Sequence, residues 1–421
     1  VSQENSACFD VLMNPTISTN STGVPSGATA WGGVFALALG AFALIASEFM
    51  PVSLLTPIAS DLRISEGQAG QAISVSGAFA VMTSLFIAKL AGRLDRKTLL
   101  LGLTLLMIVS GTVVAFAPNH AVFMLGRALI GIAIGGFWSM STAVAMRLVP
   151  EHRVSRAMAI VNGGNALATV IAAPLGSYVA AFVGWRWAFF CVVPITAIAL
   201  GWKLISLPPM AVEADARSGN VLRLLRNRQV ALGMTAVCLF FMGQFALFTY
   251  LRPFLETVTH VNASTLSLLL LVIGVTGIVG TTAIGELLKF GLYRTLVVIP
   301  LVMASLAVSL VLAGHSLIAT AILLGIWGFV GTAAPVAWWT WLAQTLPRDA
   351  EAGGGLMVAV IQLAITLGAI VGGLLFDASG HGATFVTSAL LLVAAAGVSV
   401  IAARTRTPAS SLAHLEITAC R

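Results

Sequence analysis

Residues 31–59 read WGGVFALALGAFALIASEFMPVSLLTPIA, and the stretch carries a single charged side chain, Glu48. A helix rises ~1.5 Å per residue, and about 20 mainly apolar residues cross a bilayer. This run is longer than that. It reads as a transmembrane helix in which Glu48 is the exception.

Eleven further stretches of the same kind follow, at 68–89, 98–117, 121–146, 157–183, 187–205, 230–251, 265–288, 294–313, 317–345, 352–376 and 382–403. The chain is 58% hydrophobic and 9% charged, against about 25% charged in soluble domains. A membrane barrel would alternate apolar and polar residues in segments of about 10, and these runs do not alternate. The expected class is an all-α integral membrane protein of twelve transmembrane helices.

The net charge of +7 orients the chain and does not point to nucleic acid. With an even number of spans and the N-terminus inside, all but Arg63, Arg127, Arg186 and Arg252 of the 22 Lys and Arg residues fall on the cytoplasmic side. The inner excess of basic residues then places both termini in the cytoplasm. Of four cysteines, Cys8 and Cys420 lie in the tails and Cys191 and Cys238 in spans, with no C-x-x-C spacing. Residues 1–30 hold no Lys or Arg and are rich in Ser, Thr, Asn and Gly. They read as a disordered cytoplasmic tail rather than a signal peptide. The chain begins with Val, and Met13 is a candidate start.

The polar segment 206–228 divides the spans six and six, giving bundles at 31–205 and 229–403 and a cytoplasmic tail at 404–421. An offset of 196–197 residues aligns Glu48-Phe49 with Gln244-Phe245, Pro57 with Pro253, Lys97 with Arg294, Gly131 with Gly328, Pro150 with Pro347, Asn165 with Gln362 and Gly176 with Gly373. So many matches at one offset point to a duplicated six-span unit. Two pseudo-symmetric six-helix bundles around a central cavity is a transporter architecture. Glu48 pairs with neutral Gln244 and Arg127 with Leu324, so the intramembrane charges are confined to the first half.

Several strings resemble the major facilitator superfamily, specifically its twelve-span drug:proton antiporter branch. They are the loop A-G-R-L-D-R-K (91–97), shorter than the family loop and with Ala91 at a glycine position, together with R-A-L-I-G (127–131), A-P-L-G-S (173–177) and G-W-R-W-A-F (184–189). E-F-M-P-V-S-L-L-T-P, I-S-E-G-Q-A-G-Q, G-G-F-W-S-M-S and G-Q-F-A-L-F-T-Y-L-R-P are similar to bacterial exporters of purine ribonucleosides. The resemblance implies a multi-pass protein of the bacterial inner membrane. It implies proton antiport of an inosine- or guanosine-like solute by alternating access, with a proton-coupled sugar or multidrug exporter as the alternative. The expected partners are this small molecule, protons and the bilayer. A monomer is expected, with no cofactor beyond the proton gradient.

Acidic groups inside a membrane are expensive and normally face a cavity or a partner. Glu48 is therefore the candidate proton-coupling group, the alternative being a neutral side chain bonded within the bundle. Arg127 is expected as its counter-charge, or as a structural anchor. It shares a helix face with Gly131, Gly135, Trp138 and Thr142. The amides of Asn162, Asn165, Gln244 and Gln362 offer uncharged donors and acceptors for cargo, or else interhelical bonds. Trp138, Phe248 and Trp338 offer rings for stacking, or packing. Asp95-Arg96-Lys97 reads as a conformational latch, which the resemblance implies would act by ion pairs with neighbouring span ends, or as a merely orienting loop. Ser65-Glu66-Gly67-Gln68 reads as a capping box, and Arg252 as a snorkelling or gating residue near the outer end of span 7. No P-loop is present, the six histidines fall outside the spans, and neither a metal site nor a catalytic constellation is legible, so an enzyme is not expected.

Overall fold

The computed structural model of the chain describes residues 27–91, 94–150, 153–210, 221–346 and 350–405. Most of the two expected tails, and part of the central polar segment, lie outside these residues. The first half contains α1 (Gly27–Leu62), α2 (Glu66–Ala91), α3 (Arg96–Ala115), α4 (His120–Leu148), α5 (Val154–Val183), α6 (Trp185–Phe190) and α7 (Val192–Ser206). The second contains α8 (Arg228–Phe248), α9 (Leu251–Thr257), α10 (Ala263–Lys289), α11 (Leu292–Ala313), α12 (Leu317–Thr345) and α13 (Ala350–Arg404).

Helices α6 and α7 make one span and α8 and α9 another. Eleven helical segments are long and apolar enough to cross a membrane, and the last of them covers 53 residues. That last segment crosses twice, because Gly380 within α13 has φ 76 and ψ −173. This is a conformation open to glycine and strained for other residues. The result is twelve spans. Short turns separate them, with side-chain caps at Asn119, Asn227, Asn262 and Ser316 that satisfy the first amides of α4, α8, α10 and α12.

Proline explains where one span breaks and poses a question where another does not. Pro253 supplies no N–H, so the Thr249 carbonyl four residues earlier loses its helical donor. The chain leaves helical geometry there, with Tyr250 at φ −104 and ψ 17. Helix α1 contains both Pro51 and Pro57 and stays continuous. Its freed carbonyls must find other donors.

In the first half α1 packs on α5, α2 on α4, and α3 on α4 and α7; in the second α8 packs on α13, α10 on α12, and α11 on α12 and α13. The halves meet where α2 lies on α13 and α5 on α10. The duplication is visible at atomic level. Gly131 faces the Ser76 carbonyl and Gly328 faces the Ile273 carbonyl, two contacts 197 residues apart. Between the halves, Gly77 meets Thr366 and Gly274 meets Val170, which are again equivalent pairs. Large apolar side chains cover the perimeter, among them Ile205 at 88% exposed and Leu312 at 77%, as lipid contact requires.

Two charged residues have roles that composition did not assign. Arg186 pairs with Asp61 and its guanidinium lies 4.5 Å from the Trp185 ring, tying the start of α6 to the end of α1. Lys203, counted above with the cytoplasmic basic residues, is instead fully buried in α7. Its Nζ donates to Thr104 Oγ1 at 2.9 Å and lies 5.4 Å from the Phe137 ring. The correction was available in principle, since Lys203 falls within its own apolar run.

Candidate functional site

Glu48 lies near the middle of a 32-residue span, Trp31–Leu62, and is 3% exposed. Its carboxyl does not pair with an arginine. Gln362 of α13 donates from Nε2 to Glu48 Oε1 at 3.1 Å, joining the two halves. The Gln362 side-chain oxygen is buried without a hydrogen-bond partner, and so is that of Gln244 on α8. One turn along, Ser74 and Thr366 exchange bonds across the same seam, with Ser74 Oγ donating to the Thr366 carbonyl at 3.2 Å.

Arg127, fully buried on α4, answers half of the proline question. Its Nη1 donates to the Ser47 carbonyl at 2.8 Å and its Nη2 to the Glu48 carbonyl at 3.0 Å. Ser47 is the residue whose helical donor Pro51 removes. Further bonds reach the Ala72 carbonyl at 3.3 Å and Ser76 Oγ at 3.3 Å. The guanidinium thus lies close under Glu48 without a direct ion pair to its carboxyl, and it also serves as the anchor. The guanidinium bonds the backbone beneath Glu48, plus one α2 hydroxyl, and welds α1, α2 and α4 together. Gly131, one turn further along α4, admits the α2 backbone beside it.

Beside Glu48, Phe49 stacks on Phe245 of α8 with ring centroids 5.6 Å apart and planes at 24°. These two residues are equivalent in the duplication. A residue touches its own equivalent only on the axis that relates the halves, so the axis runs between these rings. Phe248 meets Phe245 edge-on at 6.0 Å. The middle of the molecule thus holds a carboxyl, an amide with a free acceptor, and a ring pair shared by both halves.

The comparisons agree with this architecture. The model of the family described as Major Facilitator Superfamily matches residues 37–356. The chain belongs to the major facilitator superfamily. It is 58% identical over 389 residues to a Pseudomonas aeruginosa protein named transcription regulatory protein OpdE, covering 91% of this chain and 97% of that one. It is 39% identical over 381 residues to the purine ribonucleoside efflux pump NepI of Salmonella typhimurium, covering 90% and 96%. Two solved folds superpose at low identity. A bacterial homologue of the lysosomal transporter Spinster gives a TM-score of 0.73 at 15% identity, covering 90% of this chain and 98% of that one. The nucleoside transporter NupG gives 0.71 at 13%, covering 88% and 97%. The chain is a multi-pass membrane transporter of this superfamily.

The other candidate residues are spread around the superfamily core rather than gathered at Glu48. Gln244 is half-buried with its amide nitrogen beside Gly331 of α12. Asn165 is half-buried on α5; Asn162 is exposed and bonds the Met158 carbonyl at 3.0 Å on its own helix. Trp138 is half-buried against Phe137 at 5.4 Å. Trp338 is buried edge-on to Trp341 at 6.0 Å within the second half. The Thr142 side chain lies outside the described residues.

The loop ahead of α3 serves as a cap and an anchor. Asp95 accepts from the Thr98 amide at 3.2 Å and from the Met210 amide, while the Arg96 amide donates to the Met210 carbonyl at 3.1 Å. The Arg96 guanidinium reaches α4, donating to Met140 Sδ at 3.8 Å, so the described bonds of this loop tie the start of α3 to α4 and to the backbone after α7. Lys97 is half-buried beside it. Sequence reasoning missed Phe49, Ser74, Thr366 and Asp377 as residues joining the halves. The duplication carried a signal for Phe49, which sits in a matched dipeptide; the small polar residues carried none. Among the described residues no group of three His, Cys, Asp or Glu side chains converges as metal ligands.

Proposed function

We propose that this chain is a secondary active exporter that exchanges a proton for a purine-nucleoside-like solute by rocking its two halves. The observation that carries the reading is the Gln362–Glu48 bond. It places a buried carboxyl on the seam that must open and close. Removing a partner from a buried polar group costs about 1–3 kcal/mol, so any change at this bond biases the two states differently.

Proton and cargo then compete at one place. Burial disfavours an ionised carboxyl in general, and a protonated one no longer accepts equally on both oxygens. The free acceptor of Gln362 beside Glu48 calls for a ligand with N–H and O–H donors, such as purines and ribose have. Phe49 and Phe245 offer faces on which a base stacks. The 39% identity to a pump named for purine ribonucleosides supports the same cargo. The excess of Lys and Arg on one side of the spans, with only Arg63, Arg186 and Arg252 on the other, supports cytoplasmic termini in a bacterial inner membrane. A site complete within one chain supports a monomer. No cofactor is needed beyond the proton gradient.

Inosine counterflow in proteoliposomes under an imposed pH gradient tests this. Inosine movement that follows the gradient in the wild type, and is lost with its pH response in Glu48→Gln, is the expected result. Export of sugars or amphipathic dyes instead of inosine would replace the cargo. Accumulation by Glu48→Gln that still follows the gradient would remove Glu48 as the proton carrier.

A second reading follows from the relative named as a transcription regulator. Here the chain influences expression through the solute pool it moves. Deletion followed by return of Glu48→Gln separates the two. If the transport-dead variant restores the expression pattern, a signalling role independent of transport stands in place of this one.

A further inference from the structure

Helix α1 has two prolines, and the second freed carbonyl is capped from the other half of the molecule. Pro57 removes the helical donor of the Ser53 carbonyl, and Ser53 is fully buried. Arg252 of α9, 8% exposed, donates its Nη1 to that carbonyl. Its Nε is held by Glu256 Oε1 at 2.8 Å, four residues further on. Arg127 does the same for Ser47, but from within the first half, with which it moves as one body. The Arg252 bond crosses the seam.

A second bond of the same kind lies at the same face. The first amides of a helix have no partners within it. At the start of α2, Gln68 N donates to Ser65 Oγ at 3.0 Å and Ser65 N to Gln68 Oε1 at 3.1 Å, the expected capping box. The Gly67 amide goes elsewhere. It donates to Asp377 Oδ1 of α13 at 3.0 Å, and the Ser65 hydroxyl donates to the same carboxyl. Tyr250 fills the space behind. Its ring faces Gly70 of α2, stacks on Phe376 at 5.2 Å, and its hydroxyl donates to the Ala369 carbonyl at 2.9 Å.

We infer that Arg252 is the positioning residue that clamps the membrane face opposite the chain termini shut, by capping the Ser53 carbonyl that Pro57 frees, with Asp377 as a second bolt on α2. This rests on the reading that the two halves rock. Each half completes backbone groups that the other half's sequence leaves unfinished. In the closed state no water reaches Ser53, so the bond is required; in an open state water takes over both partners. Such a clamp is released without stranding a buried charge, which suits a contact broken in every cycle. Pro57 is part of the device, because with any other residue the carbonyl would be consumed inside α1.

The test is a distance across that face. Spin labels go on cysteines at the exposed Ser60 of α1 and the exposed Ser379 of α13, in full-length protein whose native cysteines are serine. Double electron–electron resonance then reads the closed and open populations without cargo or gradient. Wild type is expected to give mainly the short distance. Arg252→Ala is expected to raise the open-to-closed ratio about tenfold. Pro57→Ala, which leaves Arg252 in place and favours a regular helix, is expected to raise it as well. The double variant should go no further than the larger single effect. A wild type already at the long distance, an unchanged ratio in Arg252→Ala, or additive effects of the two variants would overturn the clamp. A wrong cargo assignment leaves these distances unchanged, so the two proposals fail separately.

Discussion

Arg127 shows how one side chain decides whether a helix bends or breaks. It delivers donors to the carbonyls at Ser47 and Glu48, next to a proline that would otherwise leave one of them bare. Arg127→Ala should lower stability by about 1–3 kcal/mol through buried acceptors left unsatisfied. Pro51→Ala in that background should recover part of the loss, because alanine has the N–H that proline lacks and returns the helical donor to Ser47. Thermal unfolding in detergent checks both; an Arg127→Ala loss untouched by Pro51→Ala would show that the guanidinium acts elsewhere. Phe49 makes a different prediction. Phe49→Leu keeps apolar bulk and removes the aromatic face, and base stacking contributes about 1–3 kcal/mol elsewhere. Inosine affinity should fall about tenfold in equilibrium binding, with the distance across the Arg252 clamp unchanged.

At the scale of the helix, the close approach of α4 to α2 and of α12 to α10 depends on two equivalent glycines. A Cβ on Gly131 would collide with the Ser76 carbonyl, and one on Gly328 with the Ile273 carbonyl. Gly131→Ala and Gly328→Ala should each destabilise by about 1–3 kcal/mol. Gly102→Ala, on α3 with open space around it, should be neutral or mildly stabilising, as alanine is the better helix former. Apparent melting midpoints that rank these three otherwise would contradict the packing described. The helices themselves were legible in the sequence because span length and hydropathy are local properties. The pairing of Gly131 with Gly328 was legible too, through the repeat. What each side chain bonds was not. Arg127 and Glu48 are opposite charges in one membrane half, and pairing them is the natural reading. The backbone competes for the guanidinium through a vacancy at Ser47 that only the proline position reveals. Asp377 gave no signal either, because its partners are 310 and 312 residues away.

The whole molecule is a duplicated unit whose copies have diverged at the centre. The axis between them passes the Phe49–Phe245 stack, and next to it the first copy has Glu48 where the second has Gln244. Only one copy therefore carries an ionisable side chain there, and its partner, Gln362, belongs to the other copy. In the proposed exchange a proton at Glu48 and a ligand at Gln362 act on the same seam, and rocking of the halves links them. Adding inosine to purified protein in weakly buffered detergent solution measures this link directly with a pH indicator. Wild type is predicted to release protons in proportion to the inosine bound, and Glu48→Gln to bind without release. Equal release from both proteins, or inosine binding to the wild type with no release, would contradict the account.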